Sequence, residues 1–392
     1  MIFKTIFGTF NIDELELHGK GGENMRLVPI EAVKEGSILA KTIYNEMGQV
    51  LLAKGIKFTK NLKDRVKEHE FYSIYIIDQY SQGEIEDIIK PQVRNKAIDA
   101  IRNTLNTVSD LEDDTMKSFQ KKDLEKKLGQ QIDQVQAFAK LIVDDVCNQQ
   151  EVMINLVDIR NMDNYTFNHS VNSAILGLVL GIGHGLNKEE LYDLTMGIML
   201  HDIGKMFVPI EILNKKGKLD DEEYKIMKEH PVRGFDFLKE HTDLNSKVRI
   251  IALQHHERVD GTGYPHGLKS EQINKLAKIA AIVDVYDALT SDRSYRTARS
   301  PNEAVEYIMG SGGRFFDMDM VQTFVKKINP FPIGTAVKLS NNCIAIVESI
   351  NSLYMLRPLV RVVKQEGKKV EPFLCDLMKE CNVVIQGICY EI

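Results

Sequence analysis

Five of the ten histidines in this 392-residue chain recur through one stretch of helical patterning: His169, His201, His230, His255 and His256. Two aspartates accompany them, Asp202 directly after His201 and Asp284 further along. A lone histidine on an apolar helix is ordinarily a satisfied core residue. A series within a single segment asks for a common partner, because a buried polar group is costly unless something compensates it. Imidazole and carboxylate together suit Fe, Mn, Zn or Ni, and a shared carboxylate can bridge two such ions. The feature therefore asks the fold to gather several helices around one point.

Local sequence favours buried ligands over surface histidines. His201-Asp202 ends the apolar run Leu194 to Leu200 and precedes Ile203-Gly204. A metal is the simplest compensation for a polar pair in that setting. His230 reads as the close of a helix that opens with the capping-box pattern Asp220-x-x-Glu223 and stops before Pro231. On a helix, the adjacent His255 and His256 would point about 100° apart. Two neighbouring ions would clamp the attacking and leaving oxygens of a phosphodiester. Beyond the histidine pair, the string runs through Glu257 and Gly261 to Gly263-Tyr264-Pro265. Its glycines allow a tight turn close to a ligand, and the proline stiffens the exit.

The chain reads as mainly α, with smaller β-containing modules at either side. Residues 1–24 are expected to be a disordered or non-native leader, with Met25 as an alternative start. Residues 25–81 read as a small α/β module, with β-branched runs at Ser37–Ile43 and Tyr72–Ile77 and a hairpin turn at Asn45–Gly48. Residues 82–150 carry apolar positions such as Ile98 and Ile101 at helical spacing. They read as a solvated helical linker, or as a stalk through which two copies could pair. Residues 151–330 hold the histidine series, and residues 331–392 read as a small β-rich domain after Pro330-Phe331-Pro332.

Composition excludes several classes. A formal net charge of −6 argues against a protein that wraps a nucleic-acid polymer through a basic surface. The most apolar stretch, Ala174 to Ile182, is far shorter than the roughly 20 residues that span a bilayer. The five cysteines form no CxxC pair, which reads as reduced, mostly buried thiols in a cytoplasmic protein. There is no Ser/His/Asp arrangement, Walker A loop or dinucleotide-binding GxGxxG. The glycines at 181, 183 and 185 read as a helix-ending turn.

His201-Asp202, together with the string ending Gly263-Tyr264-Pro265, resembles the HD-GYP family, a branch of the HD metal-dependent phosphohydrolases. The resemblance covers roughly residues 151–330. It implies an all-helical catalytic domain, a di- or tri-metal site, and hydrolysis of cyclic di-GMP to a linear dinucleotide or to GMP. It further implies that His169, His201, Asp202 and Asp284 hold one metal. Asp202 would bridge to a second metal completed by His230, His255 and His256. Lys205 would reach a phosphate oxygen and stabilise developing charge. Arg293 and Arg296 stand where the family places phosphate-binding residues, Asp287 would orient Lys205 or a ligand, and Gly263, Tyr264 and Pro265 would line the substrate pocket. For His266, beyond the motif, a surface role is expected.

Some members of that family carry a Glu one helical turn before the first histidine, where it supports a third metal; here the position is Tyr165. Two divalent ions are therefore expected, Fe or Mn first, with Zn, Ni or Mg as alternatives. The linear dinucleotide is the expected main product. Competing readings are hydrolysis of another nucleotide, such as cyclic GMP–AMP, and a sensor or scaffold that binds cyclic di-GMP without turnover.

Overall fold

The computed structural model describes residues 25–44, 50–68, 73–78, 89–111, 118–148, 154–155, 165–215, 217–291, 301–331, 333–351 and 354–389. The leader 1–24, the hairpin turn 45–49, and Arg293 and Arg296 lie outside them. The fold is mainly α. No described helix is long and apolar enough to cross a membrane.

The N-terminal module comprises β1 (Arg26–Pro29), β2 (Ile38–Leu39), β3 (Ile43–Tyr44), β4 (Val50–Leu52), α1 (Lys60–Glu68) and β5 (Ser73–Ile77). Its antiparallel sheet has the order β1-β5-β2, beside a β3-β4 ladder. Val28, Ile30, Leu39, Phe58, Ile74 and Ile76 form its own core. Arg26 closes the sheet's end with a two-pronged ion pair to Asp78.

Two long helices follow, α2 (Pro91–Leu111) and α3 (Ser118–Cys147). The expectation of a solvated linker or stalk fails here. Ile101, Val108, Val135 and Ile142 are fully buried and share one hydrophobic core with the histidine-bearing helices. Arg94 on α2 also donates to Asn172, one helical turn beyond His169. Helical spacing of apolar residues reveals a buried face but not what it packs against. Because that face is occupied within the chain, the sequence argument for pairing two copies through it lapses.

The histidine-bearing segment opens at β6 (Ile154–Asn155) and continues with α4 (Tyr165–Gly183), α5 (Lys188–Leu200) and a 3-10 turn at Ile203–Phe207. Then come α6 (Ile210–Leu213), α7 (Asp221–Met227), α8 (His230–His241) and α9 (Ser246–Gln254). It ends with α10 (Lys275–Thr290), α11 (Pro301–Gly310), α12 (Met318–Lys327) and β7 (Ile328–Asn329). Every residue from Asn168 to Gly181 is buried, so α4 is the central helix, covered on all sides. Burying side chains such as Leu178 and Ile282 contributes about 1.5–3 kcal/mol each, and α10 lies against α4. A parallel pairing of β6 with β7 brings the two ends of the segment side by side.

At the C-terminus β8 (Ala336–Leu339), β9 (Cys343–Ser349), β10 (Leu359–Gln365), β11 (Lys368–Asp376) and β12 (Ile385–Ile388) form an antiparallel sheet ordered β11-β10-β9-β8-β12. Its core is separate from the helical one. All five cysteines are free thiols; only Cys343 is buried, while Cys147 and Cys381 are exposed.

Candidate metal centre

Helix ends and central helices deliver the polar residues to one place. A reciprocal capping box between Asn187 and Glu190 starts α5, which runs buried to Leu200 and releases His201-Asp202 at its C-terminus. The 3-10 turn that follows presses Gly204 against the start of α8. A β-carbon there would stand 2.7 Å from the Gly234 nitrogen and nearer still to the His230 carbonyl, so no side chain fits. This close approach sets His230 beside Asp202. The Asp220–Glu223 capping box does start α7, but that helix ends at Met227, and His230 opens α8 instead of closing α7. Pro231 is tolerated there because a first-turn residue needs no amide hydrogen.

Seven side chains converge in two groups whose potential ligand atoms lie within 4.8 Å of one another: His169, His201 and Asp284, and Asp202, His230, His255 and His256. Asp202 faces both. Its Oδ2 is 3.4 Å from His201 Nε2 and 3.9 Å from His169 Nε2, while its Oδ1 is 3.5 Å from His230 Nε2 and 3.8 Å from His255 Nε2. Asp284 Oδ1 sits 3.1 Å from His169 Nε2, and its Oδ2 is 3.7 Å from His256 Nδ1.

Hydrogen bonds behind the rings fix their protonation. His201, His230 and His255 each direct Nδ1 at a main-chain carbonyl, of Ile198 at 2.6 Å, Met227 at 2.7 Å and Ala252 at 2.8 Å. A carbonyl only accepts, so in each ring Nδ1 carries the hydrogen and Nε2 presents a bare lone pair. His230 Nε2 and His255 Nε2 then face each other at 3.3 Å, lone pair to lone pair. His201 Nε2 and Asp202 Oδ1 are buried with no hydrogen-bond partner among the described residues. Such an arrangement is repulsive until a cation enters, and this donor set suits a divalent metal.

The electrostatics agree. Burial depresses His230 to about 3, with the neighbouring His256 adding to the effect. Burial likewise depresses His256 to about 4 against the pull of Asp284 and Asp202. His255 and His201 are lowered too, mainly by burial. These four are neutral and ready to ligate near pH 7. His169 differs: burial opposes its charge, but Asp284 and Asp287 outweigh that and raise it to about 9. Asp202 and Asp284 stay well below the usual carboxylate range, because surrounding cationic and imidazole groups overcome the cost of burial.

The remaining expected residues are distributed around this cluster. Lys205 Nζ lies on Asp202 Oδ2 at 2.5 Å. Asp287 is fully buried and contacts His169 Nδ1 at 2.6 Å, so its close partner is a histidine of the cluster and not Lys205. The Tyr264 ring lies 4.7 Å from that of His256, centroid to centroid, beside the second group. Gly263 meets the backbone of Glu257 and Arg258 so closely that a β-carbon would stand 2.5 Å from Glu257 Cα. Glu257 is a residue of the site's framework to which sequence reasoning gave no role. It is buried and accepts from the amides of His266 at 2.8 Å and Leu268 at 2.9 Å, stapling the Gly263-Tyr264-Pro265 loop. Its position directly after the histidine pair was the available signal.

Comparison with known proteins places this geometry in context. Residues 151–320 match the family model described as HD domain. The chain is 37% identical over 250 residues to "Cyclic di-GMP phosphodiesterase PA4108" of Pseudomonas aeruginosa, covering 62% of this chain and 59% of that protein. It is 30% identical over 208 residues to "Cyclic di-GMP phosphodiesterase PdeB" of Borreliella burgdorferi, covering 53% and 55%. It is also 39% identical over 166 residues to "3'3'-cGAMP-specific phosphodiesterase 1" of Vibrio cholerae, covering 42% and 38%. Each match thus spans less than two thirds of the relative's length.

Proposed function

We propose that residues 151–320, which match the HD domain family model, form an HD domain of the HD-GYP type, and that the chain is a metal-dependent phosphodiesterase that linearises a cyclic dinucleotide, cyclic di-GMP in the first place. The observation that carries this reading is the pair of facing Nε2 lone pairs on His230 and His255, 3.3 Å apart beside Asp202. In it, His169, His201 and Asp284 would hold one ion and His230, His255 and His256 another, with Asp202 available to both. Fe or Mn is the proposed metal, and two ions the proposed number. Divalent ions so held supply the Lewis acidity and activated water that phosphodiester hydrolysis requires.

The chain's own residues supply the rest. Lys205, one turn beyond His201 and partly exposed, is the cation placed to take up negative charge on the phosphate. Tyr264, held over His256 by the Glu257-stapled loop, offers an aromatic face to a base or ribose. Arg293 and Arg296 are proposed as further phosphate contacts on the resemblance alone. The linear dinucleotide is proposed as the main product, since Tyr165 takes the place of the acid that supports a third ion in related domains.

The test is turnover of cyclic di-GMP by anaerobically purified protein loaded with Fe(II) or Mn(II), followed by chromatography, with Asp202→Ala as control. Hydrolysis by wild type that is lost in the variant supports the reading. Full metal occupancy with no hydrolysis of cyclic di-GMP overturns it. The relative in Vibrio cholerae named for 3'3'-cGAMP supports a second reading, in which the hybrid dinucleotide is preferred. A substrate panel separates the two.

A further inference from the structure

The histidines of the two groups are not supported alike. His201, His230 and His255 rest their Nδ1 atoms on neutral main-chain carbonyls. His169 alone among these four rests on a carboxylate, Asp287 Oδ2 at 2.6 Å. Helix α10 supplies both this support and the ligand Asp284, three residues apart and so on one helical face. Asp287 is fully buried, and among the described residues its only ion-pair partner is His169. Ser291 Oγ adds a long donation at 3.4 Å to the same oxygen, and Asp287 Oδ1 has no hydrogen-bond partner among the described residues. The whole negative charge is thus aimed at one ring.

A carboxylate behind a ligand histidine raises the basicity of the ring, and losing such support typically weakens metal binding about 10–100-fold. The first group also gathers Asp284 Oδ1 and Asp202 Oδ2, with Lys205 offsetting part of that charge from the Asp202 side. At the second group the supports of His230 and His255 are neutral, and Asp202 Oδ1 and Asp284 Oδ2 stand 3.5 Å or more from the nearest imidazole nitrogens.

We infer that Asp287 is a positioning residue that makes the two ion sites unequal, so that the His169–His201–Asp284 site fills first and more tightly than the His230–His255–His256 site. This deepens the metal-dependent reading above and rests on it. Filling is then ordered: the second ion arrives at a centre in which Asp202 is already engaged by the first.

The test is stepwise addition of Mn(II) to the metal-free full chain, with free Mn(II) read by electron paramagnetic resonance. Wild type is expected to bind in two resolved steps. Asp287→Asn, which keeps the shape and removes the charge, should weaken the first step about 10–100-fold and leave the second within about threefold. In His230→Ala the tight step should persist, and in His169→Ala it should vanish. That comparison decides the matter even if Asp287→Asn fails to fold, which cooperative thermal unfolding of the metal-free variant monitors. Equal weakening of both steps would make Asp287 a general structural residue and overturn the inference. So would an unchanged first step, or loss of the tight step in His230→Ala instead of His169→Ala. No Mn(II) uptake by wild type is a different result, and it would sink the metal-dependent reading itself.

Discussion

Gly204 lies directly against His230, so close that a β-carbon on it would overlap the histidine's carbonyl oxygen. The contact joins the turn after Asp202 to the first residue of α8, and thereby helps set the 3.5 Å separation of Asp202 Oδ1 and His230 Nε2. Gly204→Ala must push these backbones apart. The expected cost is about 1–3 kcal/mol of stability, the usual penalty for overpacking. Metal content should fall selectively at the His230 group. Thermal unfolding and metal analysis of the purified variant check both, and a variant with wild-type metal content would show that the contact is dispensable.

The metal-free protein should be most stable close to pH 6.5. His169 is raised from its ordinary 6.5 to about 9, so its contribution is complete below pH 6.5 and is lost as pH rises through about 9. His256 and His230 are lowered to about 4 and about 3. Their shares are present above pH 6.5 and drain away as pH falls through those values. Unfolding temperatures of metal-free protein across pH 4 to 9 should trace a maximum, and a flat profile would contradict the burial of these rings.

Metal uptake should release protons with a matching signature. Below pH 9 the His169 ring carries hydrogen on both nitrogens, one toward Asp284 and one toward Asp287. An ion at Nε2 displaces the first of these. Adding Mn(II) in weak buffer at pH 7.5 should therefore release about one proton per chain more than the His169→Ala variant releases. That difference should disappear above about pH 9; no difference at pH 7.5 would show that His169 is neutral in the metal-free chain.

Glu257→Ala should unfasten the loop that carries Tyr264. Two amide hydrogens, from His266 and Leu268, lose a charged acceptor in a buried position. The expected loss is about 2–4 kcal/mol, read by denaturant unfolding. Because Glu257 belongs to neither ligand group, metal content should hold while KM for the cyclic dinucleotide rises. Loss of metal alongside stability would mean that the loop also props His255 and His256.

Ile101→Ala tests whether α2 belongs to the helical core. The side chain is fully buried, and truncating it should cost about 2–5 kcal/mol. The unfolding transition of the histidine-bearing segment should move with it. A transition that stays in place would mark α2 as an independent linker.

Much of the architecture was legible because it depends on short-range rules. The Asp220–Glu223 capping box, the glycine turn after α4 and the β-rich character of residues 331–392 all depend on neighbours within a few residues. The His-Asp series was legible as chemistry, since so many buried imidazoles need a reason. What sequence did not reveal was partnership. The apolar stripes of α2 and α3 announce a buried face equally well for a stalk and for a core. Pro231 marks a boundary whether a helix ends before it or begins around it, which is why His230 was assigned to the wrong helix. Asp287 was marked as important, but its partner sits 118 positions away on α4, and only packing could show that it stands behind a ligand.

The pairing of Ile154 with Ile328 and Asn155 with Asn329 gives the histidine-bearing segment the geometry of a buckled belt. Its entry and exit are neighbours, so an insertion or a change of length between them leaves the flanking chain unstretched, while α2 and α3 brace the belt from outside through the shared core. It also means that the chain leaves for the C-terminal sheet at the seam by which it enters the segment, so the two flanks share one hinge line.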